Sequence, residues 1–132
     1  MEKELDKKLC ADFPNLYRQR VLPMSETCMC WGFPGDGWFD IIYRLSAALE
    51  KLDAGIVAVQ VKEKFGGLRF YVKGVRQSAM EEAHRLIGVA EGEAARTCEA
   101  CGKPGEIRFG GWTKVRCDEC QERYDAKRGG SR

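Results

Sequence analysis

The 132-residue sequence predicts an α+β fold, a small antiparallel sheet packed by two to three helices with a four-cysteine module at the C-terminal end. Three observations predict it. Apolar residues recur at helical spacing in three separate stretches. Between the second and third stretches the period falls to two, on both sides of a Gly-Gly pair. Two identical C-x-x-C pairs, Cys98/Cys101 and Cys117/Cys120, then flank a connection of hairpin length.

Leu5, Leu9 and Phe13 recur every four residues until Pro14, which predicts a first amphipathic helix over 3–13. Residues 14–37 have no clean period and carry Pro23, Gly32, Pro34, Gly35 and Gly37, so they read as loop. Trp38, Ile41, Ile42, Leu45, Leu49 and Leu52 share one face of a second helix over 38–53, begun near Asp36 or Gly37 and closed by Gly55. A hairpin follows over 56–73. Its apolar face carries Val57, Val59, Val61, Phe65, Leu68, Phe70 and Val72, and a Gly66-Gly67 loop pairs Phe65 with Leu68, Glu63 with Phe70 and Val61 with Val72. The opposite face presents Lys62, Lys64, Arg69, Tyr71 and Lys73. Glu63 is the odd residue on the apolar side, where a carboxylate needs a partner or an edge position.

Ser78 and Glu81 match a capping box and open a third helix over 78–95, with Met80, Ala83, Ile87, Ala90 and Ala94 as its core stripe and Gly88 and Gly92 as weak points. Thr97 leads almost directly into Cys98. Between the cysteine pairs, residues 106–109 and 112–116 read as two short strands around a Gly110-Gly111 turn. A short helix over 121–128 and a disordered tail over 129–132 complete the chain. The expected organisation is an α+β domain (1–95), a cysteine module (96–128) and the tail.

Two tight C-x-x-C turns joined by a hairpin bring four soft ligands to one point, the donor set of a tetrahedral zinc ion. Cys98, Cys101, Cys117 and Cys120 are thus the expected metal ligands and zinc the expected cofactor. Gly102 suits the turn after the first pair; the second pair has no such glycine. Four thiolates close the coordination sphere, so the metal is read as structural rather than catalytic, forming a zinc ribbon.

Composition is that of a water-compatible chain, 44% hydrophobic and 32% charged, with no apolar run long enough to cross a membrane. The charged opening and seven cysteines, an odd number without an export signal, lead to an expected cytoplasmic setting. Residues 96–132 hold nine Lys/Arg against six Asp/Glu, too small an excess to prove nucleic-acid binding.

Several constellations have two readings each. The basic hairpin face with Tyr71 can track a phosphate backbone, or simply be a solvated sheet face. Glu63 is a general base in a cleft, or the partner of a lysine or arginine at the sheet end. Cys10, Cys28, Cys30 and His84 form a second metal site, or the cysteines are small buried hydrophobes. The run from Cys30 to Phe39 has Trp31, Phe33 and Trp38 as an adaptable contact surface, or as core anchors. No serine, histidine or second acid stands at a catalytic spacing, which argues against an enzyme with a small-molecule substrate.

Gly35-Asp36-Gly37-Trp38, the segment from Val59 to Val72 (VQVKEKFGGLRFYV) and the stretch Thr97-Cys98-Glu99-Ala100-Cys101-Gly102-Lys103-Pro104-Gly105 resemble an uncharacterised group of small proteins encoded by bacteriophages and prophages. The resemblance covers most of the chain from Gly32 to Cys120. It implies phage origin and a bacterial host's cytoplasm, and it carries no catalytic residues. The expected function is that of a non-enzymatic phage accessory protein bound to a host protein complex, such as a defence or transcription assembly, through Trp31, Phe33, Trp38 and the Lys62/Lys64/Arg69/Tyr71 face. The alternative is a zinc-ribbon regulator of DNA or RNA.

Overall fold

A computed structural model describes residues 1–130 of the protein. Helix α1 spans Lys3–Asp12, α2 Phe39–Leu52, α3 Met80–Ala94 and α4 Asp118–Gly130. Strands β1 (Val57–Lys64) and β2 (Gly67–Lys73) form one antiparallel pair, and β3 (Glu106–Arg108) and β4 (Lys114–Arg116) another. The architecture is α+β, with a core between α2, α3 and one face of the β1–β2 hairpin. Ile42, Leu45 and Leu49 from α2 meet Ala83, Ile87 and Ala90 from α3 and Val61, Leu68 and Phe70 from the sheet. Leu9 and Phe13 from the α1 region close one side, and Val115 of β4 joins the same cluster.

Residues 14–37 differ from the expected plain loop. They contain 3-10 turns at Arg18–Val21, Met29–Trp31 and Asp36–Trp38. Leu16, Tyr17, Met29 and Phe33 are all buried. Their apolar residues are spaced by contacts rather than by a helical or strand period, which is why periodicity does not reveal them. Leu16 O accepts the Ala58 N–H at 2.8 Å, and the Tyr17 hydroxyl meets Ser46 Oγ at 2.5 Å inside the core.

The hairpin register also differs. Its turn is Phe65-Gly66 rather than Gly66-Gly67, so Val61 faces Phe70, Glu63 faces Leu68 and Lys64 faces Gly67. A two-residue turn of this hand needs left-handed backbone at both positions, and Phe65 (φ 53°) and Gly66 (φ 85°) supply it. The Glu63 carboxylate accepts the Gly66 N–H at 2.7 Å and fixes that choice. Phe65 is thereby expelled from the core and is 74% exposed. A bulge between Ala58 and Gln60 sets Ala58, not Val59, opposite Val72.

Three smaller expectations are corrected. A 3-10 turn at Gln77–Ala79 precedes α3, and Ser78 Oγ accepts a bond from Arg76 Nε in place of capping the helix. Ala79 consequently takes the buried place expected of Met80, which is exposed. The β3–β4 pairing stops at Arg108 and Lys114, so the connection runs over residues 109–113 instead of a Gly-Gly turn. Helix α4 starts inside the second cysteine pair and includes Gly129 and Gly130; Ser131 and Arg132 of the expected tail lie outside the described residues.

Candidate functional site

The four cysteines of the C-terminal module converge, with all four sulfur atoms within 4.8 Å of one another. A tetrahedron with metal–sulfur bonds of about 2.3 Å has edges of about 3.8 Å, so the spacing suits a shared ion. Cys101 and Cys117 sulfurs are 3.5 Å apart, too far for a disulfide, and all seven cysteines are free thiols. Burial raises the Cys98 thiol, but N–H groups of Cys117, Cys101 and Ala100 outweigh it and bring its pKa down to about 7. Cys120 is pushed up to about 12, by burial first and then by the neighbouring sulfurs. Thiols packed this closely resist joint ionisation, and a divalent cation removes that obstacle. The cluster can therefore hold a metal ion.

The two turns are built differently. In the first, Gly102 at φ +85° donates its N–H to Cys98 O at 2.9 Å, as the glycine there predicts. The second is the first turn of α4, in which Gln121 N–H bonds Cys117 O at 3.0 Å, so a helix does the work and no glycine is required.

The first cysteine turn is seated on the Gly-Asp-Gly-Trp motif. Gly37 N–H donates to Glu99 O at 2.7 Å, Gly35 N–H to Glu99 Oε2 at 2.9 Å, and Trp38 Nε1–H to Thr97 O at 2.8 Å. A Cβ at position 37 would lie 2.1 Å from Cys98 O, and one at position 35 would lie 2.5 Å from Glu99 O. The glycines are there because backbone packs on backbone. On the other side of Glu99, Lys114 Nζ bridges Glu99 Oε1 (3.1 Å) and Glu63 Oε1 (2.8 Å), three groups that are each mostly buried. Burial alone would lower the Lys114 ammonium, but its bonds to Glu63 and Glu99 outweigh that and raise it. Glu63 is thus the ion-pair partner that its place on the apolar face requires.

The expected partner-binding residues separate into two groups. Trp38 is 0% and Phe33 8% exposed, so these two are core anchors and not contact residues, whereas Trp31 is 75% exposed. Lys62, Lys64, Arg69 and Tyr71 do share the exposed hairpin face, Lys62 opposite Arg69 and Gln60 opposite Tyr71. That face, with Lys73, has no acidic residue, and its cations make no ion pair among the described residues. Sequence reasoning missed the continuation of this surface. The hairpin tip touches the second hairpin, where a Cβ on Gly66 would lie 3.2 Å from Ile107 and 3.5 Å from Thr113. Around that junction Phe65, Phe109 and Trp112 stand exposed, and Lys114 Nζ lies 4.9 Å from the Trp112 ring centre.

The second group of candidate ligands does not assemble. Cys10 faces Asp6, Cys30 faces Thr27, and exposed His84 lines a cleft with Tyr71 and Glu91 that contains no cysteine. Among the described residues, the quartet is the one set of His, Cys, Asp or Glu side chains grouped to hold a metal. No helix among these residues is long and apolar enough to cross a membrane. No protein-family model, curated protein or solved structure matches the chain.

Proposed function

We propose that the protein is a non-enzymatic accessory protein that binds single-stranded nucleic acid, with zinc held by Cys98, Cys101, Cys117 and Cys120 as a structural staple. The observation that carries the reading is the acid-free hairpin face of Lys62, Lys64, Arg69 and Lys73, centred on Tyr71 and ending at the exposed rings of Phe65 and Trp112. Cations along a path with flat rings between them match a phosphate backbone and the bases it carries. Zinc fits the all-thiolate, closed donor set, in which it would supply rigidity and no open coordination position. The resemblance to phage and prophage proteins supports a host cytoplasm as the setting. Fluorescence anisotropy with labelled single-stranded oligonucleotides tests the reading. For four phosphate contacts the log–log salt slope should be about −3, becoming shallower in Lys62→Gln/Arg69→Gln. No binding at low salt would refute it.

One observation favours contact with a host protein complex as a second reading. Trp31, Val21 and Met24, all in the segment before α2, are 75%, 88% and 65% exposed. Such apolar groups are typical of protein contacts. Loss of a specific host protein on Trp31→Ala in a lysate pull-down, without change in oligonucleotide binding, would support this reading.

A further inference from the structure

Beside the cysteine quartet lies a cleft of about 290 Å³ lined by Ala100, Trp112, Lys114, Val115, Arg116 and Tyr124, among others. Its size is at the low end for ligand sites and suits one residue-sized group rather than a length of strand. The unusual element is Arg116. The residue is only 8% exposed, yet no carboxylate among the described residues lies within ion-pair distance. Its guanidinium rests on the Tyr124 ring at 4.0 Å and gives one N–H to the neutral Gln121 Oε1 at 3.2 Å. Its remaining guanidinium nitrogens have no protein acceptor among the described residues, neither is fully enclosed, and the residue lines the cleft. Burying a cation without a counter-ion is costly. Glu99 also lines the cleft, but its two oxygens are held by Lys114 and Gly35.

We propose that this cleft receives the terminal nucleotide of a bound strand, its phosphate monoester paired with Arg116 and its base against Trp112. The inference rests on the nucleic-acid reading above. A guanidinium fork matches phosphate oxygens in pairs, and the apolar walls with Trp112 at the mouth offer a flat surface to one base. Trp112 stands at the hairpin tip, where Lys114 meets Glu63 and Thr113 lies against Gly66, so a strand that leaves the basic face over the tip reaches the cleft.

The experiment compares one oligonucleotide carrying a 5′-phosphate, a 3′-phosphate or hydroxyl ends. One phosphorylated end should bind about tenfold more tightly than hydroxyl ends, the scale of a single charge-assisted pair. Arg116→Gln and Tyr124→Leu should abolish the preference. Arg116→Lys should reduce it while keeping the positive charge. Metal content, read by colorimetric release, separates the rival role of Arg116 as a counter-charge to four metal-bound thiolates: unchanged end preference with metal loss in Arg116→Gln overturns the proposal. Absence of end preference with salt-steep binding intact overturns it and leaves the function reading standing. A nucleoside monophosphate, its nucleoside and inorganic phosphate read the cleft without a strand. Binding of the monophosphate alone, lost in Arg116→Gln, supports the proposal where the strand also binds; if no strand binds, the proposal falls together with the function reading. Equal binding of inorganic phosphate, or no binding of any of the three, overturns it.

Discussion

Gly37→Ala isolates the joint between the cysteine module and the helical part. The backbone there is not in the left-handed region, so alanine is conformationally tolerable and the effect is purely steric. The added Cβ would lie 2.1 Å from Cys98 O, 2.5 Å from Gly102 N and 2.7 Å from Glu99 O. All three are backbone atoms of a turn tied to the cysteine cluster, and they cannot swing aside as a side chain does. The turn must lift, and three hydrogen bonds go with it: Gly37 N–H to Glu99 O, Gly35 N–H to Glu99 Oε2 and the Trp38 indole to Thr97 O. At about 1 kcal/mol each, plus the cost of leaving the buried indole N–H unpaired, the loss is about 3 to 5 kcal/mol. That is a large share of a typical domain's stability. Gly88→Ala is the control, because nothing lies within 4 Å of its Cβ on α3, and it should stabilise by about 0.5 to 1 kcal/mol. Urea unfolding of the metal-saturated protein, followed by tryptophan fluorescence, measures both. A Gly37→Ala variant within 0.5 kcal/mol of the parent, on the roughly 1 kcal/mol scale of ordinary substitutions, would refute the described seating.

Metal removal should expose four thiols beyond Cys10, Cys28 and Cys30 to a thiol reagent, together with a change in near-ultraviolet circular dichroism; equal thiol counts with and without chelator would contradict a metal at the quartet. Lys114→Met leaves Glu63 and Glu99 without their shared cation and should cost about 2 to 4 kcal/mol, part of which Glu63→Gln in the same chain restores; a neutral single variant would show the bridge to be idle. Stability should decline at alkaline pH. Burial holds the Tyr17 phenol well above its ordinary range, and the Lys114 ammonium is also raised by its two carboxylates in spite of burial. Both groups keep their protons longer when folded, so their contribution is complete below the unfolded values of about 10 and is lost as pH climbs through the folded ones. A urea midpoint flat from about pH 9 to 11 would contradict this.

What the sequence discloses follows its regularities. The α2 stripe, the hairpin alternation and the cysteine spacing are periodic signals, and each corresponds to an element or cluster in the structure. The turn at Phe65-Gly66 turns on a bond from Gly66 N–H to Glu63, a side chain three residues back, which no count of glycines reveals. Phe33 and Trp38 look like a contact surface because aromatics between glycines are ambiguous by composition. The glycines prove to be seats for Glu99, more than sixty residues further along, and the aromatics are what that contact covers. Arg116 gives no sign in the sequence, since an arginine in a short strand beside a cysteine is ordinary until its burial, with no counter-ion among the described residues, is seen.

The same contacts tie the cysteine cluster to the proposed binding surface. Glu99 lies between Cys98 and Cys101 and is gripped by Gly35, Gly37 and Lys114, and Lys114 in turn holds Glu63 one strand away at the base of the Phe65 turn. The cysteine cluster therefore fixes where the Trp112 loop stands against the hairpin tip. A strand that touches both must then prefer the metal-loaded arrangement, and linkage requires the preference to be mutual: the factor by which metal tightens the strand equals the factor by which the strand tightens the metal. Competition of the protein against a chromogenic chelator, with and without a saturating oligonucleotide, measures the second factor, and anisotropy on apo and loaded protein measures the first. We expect both to be about five- to tenfold, a coupling of about 1 kcal/mol. A strand that binds apo and loaded protein equally would place its contacts wholly on β1 and β2, and would remove Trp112 from the binding surface.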